Sequence, residues 1–256
     1  MFHNRLTSSE LMDHVLKALN NREPLSVVSV GATESYVMAQ YTVLSEEEFM
    51  SNAEAEIANL GEKRGFAHRG VRFPNVRTRD DAVEAVRKAD IVGYNTLVRW
   101  PNAGLLTERV FEAYDIKPKW IFDSYLRRVM MFSQKDKFEE MLRNRRLLLV
   151  GALADDAAEA LNRNLRDRLG FTIAGTIQVD EYEEIPDAKR QIQSCEFDLC
   201  LLAAGTNALI LASYISSELG KVALDLGSGM NSLITGQVFT DPWLDSVIGL
   251  DNLMKM

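Results

Sequence analysis

Three short stretches carry residue types that could do chemistry: 31–35 (GATES), 205–207 (GTN) and 225–231 (DLGSGMN). Each puts glycine beside hydroxyl, amide or carboxylate groups directly after an apolar run, where a strand would hand over to a helix. Unpaired N–H groups at such a helix start suit a phosphate, and in open parallel sheets ligands collect beyond the carboxyl ends of the strands. Gly93 to Asn95, Asp123, Ser124 and Gly151 occupy the same kind of position. Glycine and small polar residues are also what any strand-to-helix turn uses, so no one turn identifies a site.

Other chemistry is poorly supplied. The three histidines are His3, His14 and His68. The first two belong to an N-terminal helical region and read as surface residues; only His68, among Arg64, Arg69 and Arg72, is placed to touch a substrate. Cys195 and Cys200 match neither a redox pair nor a zinc knuckle and read as reduced, half-buried thiols. The run LLLVG at 147–151 lacks the later glycines of a dinucleotide fingerprint, and no phosphate-loop, HExxH or GxSxG pattern occurs.

The elements that must position these turns follow from hydrophobic periodicity. Apolar runs at 25–30, 90–94, 119–122, 147–150, 171–179, 198–203 and 222–226 end in glycine, asparagine or aspartate. Most are continuous rather than alternating, as expected for strands covered on both sides. Helical signals lie between them: Ser8 and Ser9 open an N-terminal helix, Ser45 with Glu48 forms a capping box, 80–89 and 155–169 repeat every 3.6 residues, and Gly170 closes the last. The expectation is an α/β fold, doubly wound, with a largely parallel sheet and helices on both faces. Residues 1–24 form an N-terminal helical segment and 25–256 the α/β domain, with a sub-boundary allowed at 133–146. The basic stretch 63–78 reads as a loop over the sheet rim.

Composition bounds the function. The 256 residues are 46% hydrophobic and 26% charged, an ordinary globular balance, and Lys+Arg number 29 against Asp+Glu 37. The resulting −8 repels phosphodiester backbones and anionic lipid, so nucleic acid is not an expected partner. No run reaches the ~20 apolar residues of a membrane span, and a cytoplasmic location is expected.

Taken together, the turns resemble the GT-D-fold glycosyltransferases, bacterial enzymes whose first strand leads into a D-x-E motif for metal and nucleotide sugar. The matching segment is Ser26 to Glu34, followed by an apolar helix; the later match runs through Asp198 to Ala203, Gly205-Thr206-Asn207-Ala208, and Val222 to Gly227 in the family's order. The resemblance implies a nucleotide-sugar donor, a Mn or Mg ion and an acceptor hydroxyl. Carried onto this chain, it makes Glu34 and Asp225 the catalytic candidates, Glu34 the metal ligand, and Gly31, Thr33, Gly205, Thr206, Asn207, Gly227 and Ser228 the donor-binding residues. Ala32 stands where the motif has its aspartate, so the motif is degenerate. That departure leaves open a non-catalytic binding or assembly protein on the same fold. DLGSG alone would also suit an adenosylmethionine-dependent methyltransferase with permuted strands. The solvated loop arginines Arg64, Arg69 and Arg72 are candidates to steady a departing diphosphate, and an oligomer is left open.

Overall fold

The computed structural model describes residues 4–60, 70–100 and 103–256. In chain order the principal elements are α1 (Ser8–Asn21), β1 (Leu25–Val30), α2 (Ala32–Ala39), α3 (Glu46–Met50), α4 (Ala53–Leu60), α5 (Val76–Lys88), β2 (Ile91–Tyr94), α6 (Gly104–Ala113), β3 (Trp120–Asp123), α7 (Leu126–Ser133), α8 (Lys135–Leu142), β4 (Arg146–Gly151), α9 (Ala154–Asn164), α10 (Arg166–Leu169), β5 (Thr172–Ile177), α11 (Ile185–Ser194), β6 (Leu199–Ala203), α12 (Asn207–Ser217), β7 (Val222–Asp225), α13 (Gly229–Thr235) and α14 (Leu250–Met254). All seven expected strands are present. The 171–179 run is paired only over Thr172–Ile177, where β4 lies alongside it.

The strands form one sheet in the order β3-β2-β1-β7-β6-β4-β5, and every pairing is parallel. Strands buried on both faces explain the continuous apolar runs: β1 is buried at all six positions. Successive side chains then serve different layers. Val28 and Val30 join a core with α2, α5, α6, α11 and α12, while Val27 packs with α1, α7, α8, α9 and α13 on the other face. Helix α12 lies against β1 and β7 and is buried from Asn207 to Ser213 without a gap, which accounts for its apolar sequence on every side.

Local signals set the helix starts. Thr7 and Glu10 cap α1 reciprocally, as Ser45 and Glu48 cap α3. Helix α5 begins at Val76 rather than near residue 80, because the Asn75 side chain accepts the Thr78 N–H; of the stretch 63–78 expected as a loop, 76–78 are helical and 63–69 lie outside the described residues. The 155–169 helix divides in two at Leu165 and ends on Gly170 in the left-handed conformation. The outer edge of β3 is covered by residues 4–6, with Leu6 N–H donating to Ile121 O at 2.7 Å and Ile121 N–H to Asn4 O at 2.9 Å, leaving fewer free edge groups to pair with another chain. Helices α7 and α8 span most of 133–146, and β7 sits between β6 and β1. Strands from both sides of that stretch therefore belong to one sheet.

Candidate active site at the β1/β7 crevice

Strand order creates the site. β1 and β7 are neighbours, yet the chain leaves β1 into α2 on one face and leaves β7 into α13 on the other. Their turns diverge and open a crevice at the carboxyl ends, the switch point where open α/β sheets take ligands. A cavity of about 600 Å3 occupies it, lined by Gly31 to Glu34, Gly205, Asp225, Gly227 and Ser228 together with Arg127, Arg128 and residues of the C-terminal segment. Its size suits a nucleotide-sized ligand.

Glu34 is held by its own helix. Gly31 N–H donates to Glu34 Oε2 at 2.9 Å, closing the start of α2. A Cβ on Gly31 would stand 2.7 Å from that oxygen, so the glycine keeps room for the carboxylate. Burial pushes the Glu34 carboxyl above its ordinary range; the Arg127 charge pulls it part of the way back, and the Asp225 charge adds to the rise. Asp225 is the more enclosed of the two, 4% exposed. Its Oδ1 accepts the Gly227 N–H at 2.9 Å, and its Oδ2 accepts the Ser29 N–H at 3.1 Å and Arg127 Nη1 at 3.1 Å. Burial raises its carboxyl as well, and these same donors oppose the rise.

Arg127 and Arg128, side by side on α7, are the residues that sequence reasoning missed. Arg127 is 12% exposed and also donates from Nε to Ser124 O at 3.1 Å. Arg128 donates to Ser228 Oγ at 2.8 Å and to Asp241 Oδ2 at 2.7 Å, and its guanidinium lies over the Tyr125 ring at 4.5 Å and the Phe239 ring at 5.1 Å. The signal was a pair of arginines four and five residues beyond the β3 end. The basic loop drew attention instead because its charge is conspicuous in an acidic chain.

The other expected residues are placed as follows. Gly31, Thr33, Gly205, Gly227 and Ser228 line the cavity with Glu34 and Asp225. Thr206 and Asn207 do not. Both are fully buried in the start of α12, where Asn207 Nδ2 donates to Gly70 O at 3.1 Å. Arg72 lies away from the cavity, with Nη2 2.8 Å from Glu181 Oε1. Arg64, His68 and Arg69 fall outside the described residues, as does His3. His14 packs against Trp120, ring centroids 5.1 Å apart. Asp123 is structural: it is fully buried and accepts from Thr96 N–H and Oγ1, Leu97 N–H and Tyr125 N–H. Cys195 and Cys200 are free thiols, the second fully buried.

The residues do not form a preassembled site for a divalent cation. Among the described residues no three His, Cys, Asp or Glu side chains converge; Asp225 commits both oxygens to the donors above, and the position beside the two carboxylates holds a guanidinium, which cannot be a ligand. Nor does the DLGSG turn offer its glycine to a ligand such as adenosylmethionine. A Cβ at Gly227 would run into the Arg127 guanidinium, so the space left by the glycine is already filled by this chain.

Comparison with known proteins agrees with the geometry. The chain is similar to a DUF1792 glycosyltransferase from Streptococcus sanguinis, with a TM-score of 0.60 and 15% identity over 93% of this chain and 87% of that one. It is also similar to a structure of the highly conserved domain of unknown function 1792, described as a distinct glycosyltransferase fold, with a TM-score of 0.59 and 14% identity over 93% and 84%. Identities this low show the shared fold. No curated protein matches the chain. The GT-D fold-like domain matches residues 6–233, which include all seven strands and the turns after β1 and β7, and the chain belongs to the GT-D-like family.

Proposed function

We propose that the protein binds a nucleotide-diphosphate sugar in the β1/β7 crevice and transfers the sugar to an acceptor hydroxyl. The observation that carries this reading is the convergence of Glu34, Asp225 and Arg127 in one nucleotide-sized cavity. In the transfer, the acceptor oxygen forms a bond to the anomeric carbon as the bond from that carbon to the diphosphate oxygen breaks. The electron pair leaves with the nucleoside diphosphate, and the hydroxyl proton passes to Glu34. A carboxyl raised by burial holds that proton better near neutral pH than an exposed one would. The positive charge of Arg127 and Arg128 answers the charge that develops on the leaving group.

A divalent ion is plausible on this fold, but in this chain the lining residues favour a site without one. Donor and acceptor are small molecules or glycans; the net charge of −8 disfavours nucleic acid. The two free thiols agree with the reducing cytoplasm, there in a bacterium as the family resemblance implies. Ala32, which lines the cavity with a methyl group where the family motif has a carboxylate, favours a second reading: a protein that binds the donor and does not turn it over.

Calorimetric titration with a panel of nucleotide sugars, followed by assay for nucleoside diphosphate release with sugar acceptors, tests both. Binding with release, abolished in Glu34→Gln while donor binding survives, supports transfer. Binding without release under any acceptor supports the second reading. No binding by any member of the panel overturns both.

A further inference from the structure

The crevice holds a cation that belongs to the chain itself. We propose that the Arg127 guanidinium takes the place of a divalent ion at the donor diphosphate, with Asp225 as its positioning residue; this rests on the donor-binding reading above. Three observations carry it. The guanidinium is fixed rather than swinging in solvent: Nε is held by Ser124 O, Nη1 by Asp225 Oδ2, and the side chain is 12% exposed. The chain makes room for it, because the DLGSG turn carries glycine at the one position whose Cβ would collide with Nη1. It also stands beside Glu34 and Asp225, where an ion would be needed, and no group of three acidic, His or Cys side chains is assembled among the described residues to hold one in its place.

A fixed guanidinium is suited to this work. Its planar fork matches two phosphate oxygens, it stays charged at every relevant pH, and charge-assisted hydrogen bonds from it are among the stronger ones. The hydrogen bonds of Arg127 among the described residues use Nε and Nη1 and the residue lines the cavity, so a donor phosphate meeting Nη2 need not break the pair to Asp225. Arg128, which donates from Nε to Ser228 Oγ, brings a second guanidinium to the same cavity. Asp225 acts through Arg127: its oxygens are taken up by backbone N–H groups and the guanidinium, and it aims the cation rather than touching the donor.

The test is calorimetry of UDP, GDP, ADP and dTDP with the full chain, in chelator and again with Mn2+. The expected result is that whichever nucleoside diphosphate binds does so with the same affinity, within about twofold, under both conditions. Arg127→Ala should weaken it roughly 10–100-fold, the loss of one or two charge-assisted hydrogen bonds, and Mn2+ should not restore it. Because Arg127→Ala leaves Asp225 unpaired, Arg127→Lys serves as the folded control: it keeps the charge, loses the fork, and should show an intermediate affinity. Asp225→Asn should weaken binding less than Arg127→Ala and be unimproved by Mn2+.

Binding by the unaltered chain that disappears in chelator overturns the inference while the donor-binding reading stands. Arg127→Ala and Arg127→Lys that both fold and bind normally also overturn it. Failure of all four nucleotides under both conditions removes the donor-binding reading, and the inference with it.

Discussion

The guanidinium of Arg127 lies in the space that a side chain on Gly227 would take, so a turn after β7 and a helix after β3 are fitted to each other across 100 residues of sequence. Gly227 also has φ +46°, a conformation that costs an L-residue about 1–2 kcal/mol. Gly220 has φ +63°, and a Cβ there would meet nothing within 4 Å, which makes it the matched control. Gly220→Ala should cost only the backbone term. Gly227→Ala should cost about 1–3 kcal/mol more, the penalty of overpacking against the arginine. Urea unfolding of the two variants measures the difference, and equal losses would mean that Arg127 moves aside freely.

Glu34 predicts a pH dependence. Its carboxyl is raised by burial, so the folded state binds its proton more tightly than the unfolded chain does. Stability from this group is therefore present below the ordinary glutamate value and falls as pH rises through the raised one. Glu34→Gln keeps an oxygen for the Gly31 N–H and removes the titration. Unfolding measured from about pH 4 to about pH 8 should show the variant with a flatter profile and greater stability than the unaltered chain at the alkaline end. A profile of unchanged slope would place Glu34 in contact with water and weaken its role as the base.

Arg128 ties the C-terminal segment to the site through Ser228, Asp241, Phe239 and Tyr125. Arg128→Ala should cost about 2–3 kcal/mol, combining a charge-assisted bond with ring contacts. Arg128→Lys should recover little of it, since an ammonium cannot bridge Ser228 and Asp241 while lying flat on the rings. Hydrogen exchange should rise first at residues 238–248, and exchange unchanged there in Arg128→Ala would contradict the tie.

Trp100 and Trp243 stand at the cavity mouth, 61% and 41% exposed, with ring centroids 6.2 Å apart. The remaining tryptophan, Trp120, lies on β3 against His14. A ligand entering the crevice should change the fluorescence of the first two. Trp100→Phe with Trp243→Phe should abolish the change and leave the Trp120 signal constant. A response that persists in the double variant would place binding elsewhere.

The sequence by itself determined the strands and their turns. Continuous apolar runs bounded by glycine and aspartate give the seven strands, because burial on both faces leaves no room for alternation, and the glycines of GATES and DLGSG mark backbone that a side chain would obstruct. The same patterns carry the resemblance that the family match supports. Only the tertiary structure decided the strand order. Periodicity describes each strand alone, and the placement of β7 between β6 and β1 depends on packing among all layers; that placement brings Asp225 to the crevice of Glu34. It also brought Arg127 and Arg128 into the crevice. Charge density along the chain favoured the 63–78 loop, of which 63–69 lie outside the described residues; Arg127 owes its place to burial and to an ion pair with Asp225, 98 residues away, which no local pattern shows.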